Sequence, residues 1–419
     1  MPLRVIVVGG GIGGFSTAIA LRRAQHQVVV LEKRAETTAA GYALEIPANA
    51  SRILQHFGLD LSTLNGCRQT GLDIFKADVD PLKLLRTEER PADPTSPNVS
   101  AHRQDYTFAL KDLATRKEGA GPPAEVRHNC NVTSYDPSNG SVTLASGDVL
   151  EADLVVAADG VRSKAHECIV GHECPAQLTG LSNIRFVLPT DLLLAQPSFK
   201  DLIQRGVEGR ACLYVDTENN VIIHYPCRSG RLQNFGVYHR GIRGSSNAFA
   251  GRTYQDIARE RVRNMNARIQ SLVGLAGEKD MYLWEIMDRE PLPRFYKERL
   301  VVLGDACHPM GTTMGQGAAQ TVEDAAVLGI VLEQVDTRND LDSRLQVWEE
   351  LRRPRASAIQ MMSRTTPERE GWIHAEEARK TASLFFPPGG LPETRGEMAA
   401  YAHRFDAVAE ARSRLASKA

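Results

Sequence analysis

Three glycine clusters, each directly after an apolar run and two of them with a carboxylate, are the places in this 419-residue chain where backbone and side chain can do chemistry together. The first is Gly9-Gly10-Gly11-Ile12-Gly13-Gly14. The second is Asp159-Gly160-Val161-Arg162-Ser163. The third is Gly304-Asp305-Ala306-Cys307-His308-Pro309, with Gly315-Gln316-Gly317-Ala318 close behind. Gly9, Gly11 and Gly14 fit G-x-G-x-x-G. The first glycine permits a tight turn, the second lets backbone approach a pyrophosphate, and the third brings helix and strand together. A helix that follows presents free N–H groups and its positive dipole end to phosphate. Glu32 closes the next apolar run, where a carboxylate accepts hydrogen bonds from a ribose. Strand, glycine loop, helix, second strand and acid together read as a dinucleotide site.

The elements that position these groups follow from the flanking pattern. Val5 to Val8 form a continuous apolar run, as a strand buried on both faces should. The helix after it should end near Ala24-Gln25-His26, where a left-handed residue is usually glycine. Gln25 in that conformation costs roughly 1 kcal/mol, so a differently built turn is expected. Ala152–Ala158 reads as a further buried strand that brings Asp159 and Gly160 to the phosphate edge, although an Asp-Gly turn caps many strands. Arg299–Leu303 is another, leading to a helix from Ala318 to about Leu332 whose N-terminus aims a second dipole at the site. Lys33 and Arg34 leave the second strand, and Arg34 can reach an adenine or ribose edge.

The intervening segments differ in kind. Residues 41–46 form a loop before a short helix ending near Phe57-Gly58, and residues 77–98, rich in Pro, Asp, Thr and Ser, look like a surface excursion. A helix opens at Arg103. Residues 124–158 alternate like an antiparallel meander that turns at Ser146-Gly147-Asp148. Arg210–Asp216, Val221–Tyr225 and Gln233–Arg240 read as three strands without helices between, so a second domain inserts here. Their alternation places Arg210, Cys212 and Tyr214 on one face, and Ala211, Leu213 and Val215 on the other. Residues 253–274 read as one amphipathic helix. Beyond Leu341 the chain is helical, broken by Pro354, Pro367 and Phe386–Gly390, with a final helix from Met398 to Leu415. The expected fold class is α/β. A Rossmann-like domain comprises 1–75, 99–175 and 285–365, an inserted antiparallel β-sheet domain 76–98 and 176–284, and a helical C-terminal segment 366–419.

Bulk composition narrows the function. Lys plus Arg number 50 against 51 Asp plus Glu, so net charge suggests neither a nucleic-acid nor a membrane surface. Seven cysteines without C-x-x-C or metal-like spacing suit a reduced protein with incidental thiols, and no metal is expected. No apolar run reaches the ~20 residues of a membrane helix. The ending Ser417-Lys418-Ala419 is only a loose relative of a peroxisomal address, and the cytoplasm is the default. A monomer or homodimer is expected.

The three strand-end motifs, in this order, resemble those of the single-component FAD-dependent aromatic hydroxylases, in particular the salicylate-hydroxylase-like branch, whose fold is that of para-hydroxybenzoate hydroxylase. The match covers residues 3–35, 100–113, 150–165 and 298–330. The resemblance implies FAD held by the Gly9–Gly14 loop, with Glu32 on the adenosine ribose and Arg103 on the pyrophosphate or ribityl side. It implies that Asp159 and Gly160 serve the pyrophosphate and the passing nicotinamide cofactor. Gly304 and Asp305 then meet the ribityl chain, Pro309 and the Gly315–Ala318 backbone the flavin ring, and Gly41 and Tyr42 its other edge. It further implies hydride transfer from NADPH or NADH to flavin, and attack of a flavin C4a-hydroperoxide on an electron-rich ring. With one G-x-G-x-x-G in the chain, the nicotinamide cofactor has no dinucleotide fold of its own and visits transiently. Relatives usually carry a second proline where this chain has Thr312, which keeps epoxidation of an alkene or indole open beside hydroxylation. A flavin- or NAD-binding protein without turnover is the third reading. A halogenase is disfavoured, since Trp284-Glu285-Ile286 is only a fragment of W-x-W-x-I-P.

Hydroxylation is helped when a phenol is deprotonated. Candidates to bind or activate such a substrate are Arg210, Tyr214, His224, Tyr225 and Tyr238, all on the inserted strands. Arg210 can pair bidentately with a carboxylate or phenolate. For each the ordinary alternative stands alongside: a strand tyrosine is usually core, and an arginine at a strand start is usually solvated. His308 is expected to support its loop, and Cys307 to pack.

Overall fold

The computed structural model describes residues 2–37, 41–90, 93, 95–240, 251–335, 340–365 and 375–417. The chain opens with β1 (Arg4–Val8), α1 (Ile12–Arg23) and β2 (Gln27–Leu31). Next come β3 (Ala43–Ile46), α2 (Ala48–His56), β4 (Cys67–Arg68), β5 (Gly71–Lys76), β6 (Lys83–Glu89), β7 (Val99–His102) and α3 (Arg103–Thr115). There follow β8 (Glu125–Arg127), β9 (Val132–Asp136), β10 (Ser141–Leu144), β11 (Val149–Glu151), β12 (Leu154–Ala157) and α4 (Ala165–Val170). The inserted part runs through β13 (Gln177–Pro189), α5 (Thr190–Leu194), α6 (Lys200–Val207), β14 (Arg210–Val215), β15 (Val221–Cys227) and β16 (Leu232–Arg240). It ends with α7 (Tyr254–Arg261), α8 (Ala267–Leu275) and β17 (Tyr282–Asp288). The chain then returns through β18 (Tyr296–Lys297) and β19 (Leu300–Val302) to α9 (Gly317–Val331), α10 (Leu341–Met362), α11 (Glu376–Ser383), α12 (Arg395–His403) and α13 (Ala407–Ala416).

Two sheets organise the molecule. In the six-stranded sheet, ordered β18-β19-β12-β1-β2-β8, the strands pair in parallel except β18 with β19. β1 is central, and Val5 to Val8 are buried in one core with residues of α1, α3 and α9 and of the β9–β11 strands. The ends of β1, β12 and β19 therefore lie side by side, which brings the three glycine turns together. The seven-stranded sheet runs β17-β13-β16-β15-β14-β5-β6 and is antiparallel apart from β14 with β5. One face packs Ile184, Phe186, Tyr214, Phe235 and Val237 against the apolar sides of α6, α7 and α8. The opposite face carries Asn183, Arg185, Ile223, Tyr225, Gly236 and Tyr238 toward the first sheet.

Several expectations are corrected. Gln25 does adopt the left-handed conformation (φ 69°), and the Gln25 and His26 N–H groups bond to the Arg22 and Leu21 carbonyls, closing the helix with its strain accepted. Residues 77–98 are no mere excursion, since β6 pairs with β5 at a sheet edge. That sheet takes up the chain from Gly71, ahead of the expected start at 76. Of the meander at 124–158, β8 and β12 belong to the parallel sheet, and only β9 to β11 form an antiparallel unit. The single helix over 253–274 is two, because Asn266 caps α8 with its side chain while its backbone N–H reaches Ala77 O. Pro354 lies inside the continuous α10, held by the buried Arg352 and Arg355 on either side. The final helix is likewise two, parted where Asp406 caps α13. Pro367, Lys418 and Ala419 lie outside the described residues. No described helix is long and apolar enough to cross a membrane.

Candidate active site

A cavity of about 800 Å³ lies between the parallel sheet and the seven-stranded sheet. From the glycine loop it is lined by Gly9, Gly11, Ile12 and Gly13, and from the end of β2 by Glu32, Lys33 and Arg34. The second and third turns supply Asp159, Gly160, Gly304 and Asp305. Gly315, Gln316, Gly317 and Ala318 line it where α9 begins, as do Tyr42 and Arg103.

The glycine loop divides its work. A Cβ on Gly14 would stand 1.7 Å from the Gly9 carbonyl oxygen, so Gly14 serves helix–strand contact and does not face the cavity. A Cβ on Gly11 would meet nothing within 4 Å, and the same holds at Gly160. Those open positions leave room for a ligand to approach the backbone closely. Neither α1 nor α9 has a side-chain cap or an acidic residue in its first turn. Two uncompensated helix N-termini thus open into one cavity, an arrangement suited to anionic groups.

The acids are held in place from behind. Glu32 Oε2 accepts from Gly10 N at 2.8 Å, and its Oε1 accepts from Arg34 N at 2.9 Å, so the carboxylate is oriented by backbone. Asp159 Oδ2 accepts from the Tyr135 hydroxyl at 2.7 Å. Burial pushes the Asp159 carboxyl up, and hydrogen bonds and Lys33 pull against it. The Asp305 side chain opens into the cavity although protein surrounds it. That enclosure raises its pKa, with His308, Arg103 and Arg289 opposing. Arg289 is buried and donates to Ala306 O and Val161 O, both at 3.3 Å, which ties the second turn to the third.

Behind the third turn lies a buried ionic cluster that sequence reasoning missed. His308 Nε2 meets Asp324 Oδ2 at 2.6 Å, and the same oxygen accepts from Gly304 N at 3.0 Å. Arg352 bonds Asp324 at 2.9 Å and Glu323 at 2.7 Å, and Arg355 bonds Glu323 at 2.7 Å. Burial alone would raise both carboxyls, but Arg355 and Arg352 hold Glu323 below its usual range, and His308 and Arg352 do the same for Asp324. Asn49 links Glu323 to Gln316 at the cavity wall. His308 therefore supports its loop, and Cys307 is buried packing.

Most of the candidates for substrate contact lie elsewhere. Arg210 is engaged by Asp73 (2.7 Å) and Glu89 (2.8 Å) at the sheet edge. Tyr214 is buried among the helices and stacks on Phe75. His224 bonds Gln233 at 2.8 Å and stacks on Phe235, and burial lowers its pKa to about 4. The alternation was read correctly, but this face of the sheet packs on helices and its opposite faces the cavity. Tyr225 and Tyr238 do line the cavity. Tyr225 donates to Ala43 O at 3.0 Å, and the Tyr238 hydroxyl lies 2.9 Å from Thr312 Oγ1. Gly41 packs toward the Tyr282 ring, and Pro309 O accepts from Gln360, so neither is among the lining residues.

Arg185 also lines the cavity, with no local motif to announce it, beside the expected Tyr42 and Arg103. Arg185 lies over the Tyr42 ring at 4.5 Å and reaches Ala43 O at 3.4 Å, and Arg103 lies 5.7 Å from the rings of Tyr42 and Trp284. Glu45 pairs with Arg90 at 2.7 Å through one oxygen, while its other oxygen is buried without a partner. The period-two pattern of β13 was the one signal that could have found Asn183 and Arg185. Among the described residues no cluster of metal-ligating side chains occurs.

The FAD binding domain family matches residues 2–363. The chain is 32% identical over 418 residues to the FAD-dependent monooxygenase cfoG of Aspergillus candidus, covering 97% of this chain and 94% of that one. It is 29% identical over 393 residues to the hispidin-3-hydroxylase of Neonothopanus nambi, covering 90% and 92%. Its fold is similar to that of CtdE, solved in complex with FAD and substrate 4, with a TM-score of 0.80 and 23% identity over 99% of this chain and 98% of that one.

Proposed function

Since the chain belongs to the FAD-dependent monooxygenases of the aromatic hydroxylase type, we propose that it uses NAD(P)H and O2 to hydroxylate a phenolic or heteroaromatic small molecule. The observation that carries this reading is the convergence of three backbone turns and a polar sheet face on one cavity. FAD suits the near half, given the open space over Gly11 and Gly160 and the two uncapped helix ends. In this arrangement the Gly9–Gly13 backbone would hold the pyrophosphate, Glu32 the ribose and Asp305 the ribityl chain. Bound there, the flavin supplies electron transfer from nicotinamide and activation of oxygen.

The chain's own contribution is placement and electrostatics. The free N–H groups at Gly317 and Ala318, where α9 begins, would favour negative charge on a group held against them. Arg185, fixed over Tyr42, sits where it can stabilise a phenolate and so raise the nucleophilicity of the substrate ring. Tyr238 and Thr312 border the same space. The seven-stranded sheet roofs the cavity and keeps water from the reacting atoms.

The test is direct. Purified protein should carry yellow flavin, and a phenol or hydroxy-heteroaromatic should stimulate NADPH or NADH oxidation with a product one oxygen atom heavier. A protein that neither retains nor binds FAD, or that returns stoichiometric peroxide with every substrate offered, would reject the proposal.

A further inference from the structure

We infer that Asn183 recognises a lactam-type edge of the substrate, an N–H donor and a C=O acceptor side by side; the inference rests on the monooxygenase reading for a substrate being in this cavity. Asn183 is 1% exposed, lines the cavity, and neither its Oδ1 nor its Nδ2 has a hydrogen-bond partner. A buried amide with both functions unpaired is costly and rare in folded proteins. On β13 it stands directly between Tyr238 on β16 and Trp284 on β17 in the cross-strand register.

A second feature marks the same spot. Gly236 lies inside β16, where glycine weakens a strand, and its backbone conformation is open to any residue. A Cβ there would stand 2.7 Å from Asn183 Oδ1 and 3.0 Å from Nδ2. The missing side chain therefore lets the amide itself lie against the β16 backbone, which fixes where its two polar atoms stand. Asn234 on the same face is different, because its Oδ1 is occupied by Ala43 N at 3.0 Å.

The chemistry of the pair selects the ligand. Asn183 offers a carbonyl acceptor and an NH2 donor side by side. A carboxylate brings acceptors only and faces Oδ1 with repulsion, and an ether or ketone satisfies only the donor. A cyclic amide answers both at once with two antiparallel hydrogen bonds. Sites built to pair such groups discriminate strongly against analogues lacking them, because the protein's own polar atoms are then left stranded.

The experiment uses FAD-loaded enzyme titrated with 2-quinolone, N-methyl-2-quinolone and 2-naphthol, followed by calorimetry and by perturbation of the flavin spectrum. Wild type should prefer 2-quinolone to its N-methyl analogue by roughly tenfold or more. Asn183→Leu should weaken 2-quinolone by about ten- to a hundredfold and erase that preference, with flavin content unchanged. Gly236→Ala, whose methyl displaces the amide, should erase it too. Substrate-free Asn183→Leu should melt no lower than wild type, since it removes an unpaired amide. Equal wild-type affinity for the two quinolones, no measurable quinolone binding, or a destabilised Asn183→Leu with its preference intact would each overturn the inference. Phenol-stimulated NAD(P)H oxidation by the same preparation is judged separately, so the monooxygenase reading can survive any of these results.

Discussion

Gly11 and Gly14 are three positions apart and are glycine for opposite reasons. Gly11→Ala places a methyl in open space, so the variant should fold with unchanged thermal stability and bind FAD at least about tenfold more weakly, a difference of ~1.4 kcal/mol. Gly14→Ala drives a methyl into the Gly9 carbonyl and should lose roughly 1–3 kcal/mol or more of stability. Equilibrium denaturation of the apoprotein and flavin titration separate the two, and equal effects on both readouts would contradict the division. This half of the site was legible because its residues are neighbours in sequence, so Gly9 to Glu32 spell out turn, helix and acid in one stretch. The substrate half was not. Alternation sorted Tyr214 from Leu213 correctly, but nothing local says which face of a sheet meets helices and which meets a ligand. Tyr238 and Tyr214 were both named only for lying on the inserted strands, and the structure brings one to the cavity and not the other, while Asn183 and Arg185 sat on a strand that no motif marks.

Among elements, α9 and α10 are joined by four buried charges. Arg352→Met should cost about 3–5 kcal/mol, because Glu323 and Asp324 remain buried and lose the cation they share, keeping only Arg355 and His308 respectively. The pH dependence follows from the depressed carboxyl pKa values in the folded protein. In wild type their stabilising contribution is present above the unfolded value of about 4 and is lost as pH falls through the lower folded values. In the variant the folded values rise, so its deficit against wild type should be largest at neutral pH and should shrink on acidification. Urea melts at pH 7 and pH 4 read this out. At the end of α1, Gln25→Gly should stabilise by roughly 1 kcal/mol by relieving the left-handed strain. Unchanged denaturation midpoints would refute it. Element types were legible wherever periodicity ran unbroken, as in β1, β14, β15 and β16. The breaks at Asn266 and Asp406 were missed because a capping side chain interrupts a helix without disturbing its apolar period. Pro354 misled for the converse reason, since tertiary anchoring at Arg352 and Arg355 overrides a local breaker.

At the scale of the whole molecule, one cavity is walled by both sheets, so its ligand is also a structural member. Bound FAD should raise stability by RT ln(1 + [L]/Kd), ~2.7 kcal/mol at a hundredfold excess over Kd. Flavin removal should accordingly lower the melting temperature and make it depend on added FAD. A melting temperature indifferent to flavin would show that the two sheets hold together without it. The inserted sheet has a consequence for descent. Ile184, Phe186 and Phe235 anchor folding on one side, while Asn183, Arg185 and Tyr238 alternate with such residues on the other. Selectivity can therefore drift at every second position while the residues between them keep the protein folded, which makes this roof a surface on which new substrate preferences can evolve without loss of the scaffold.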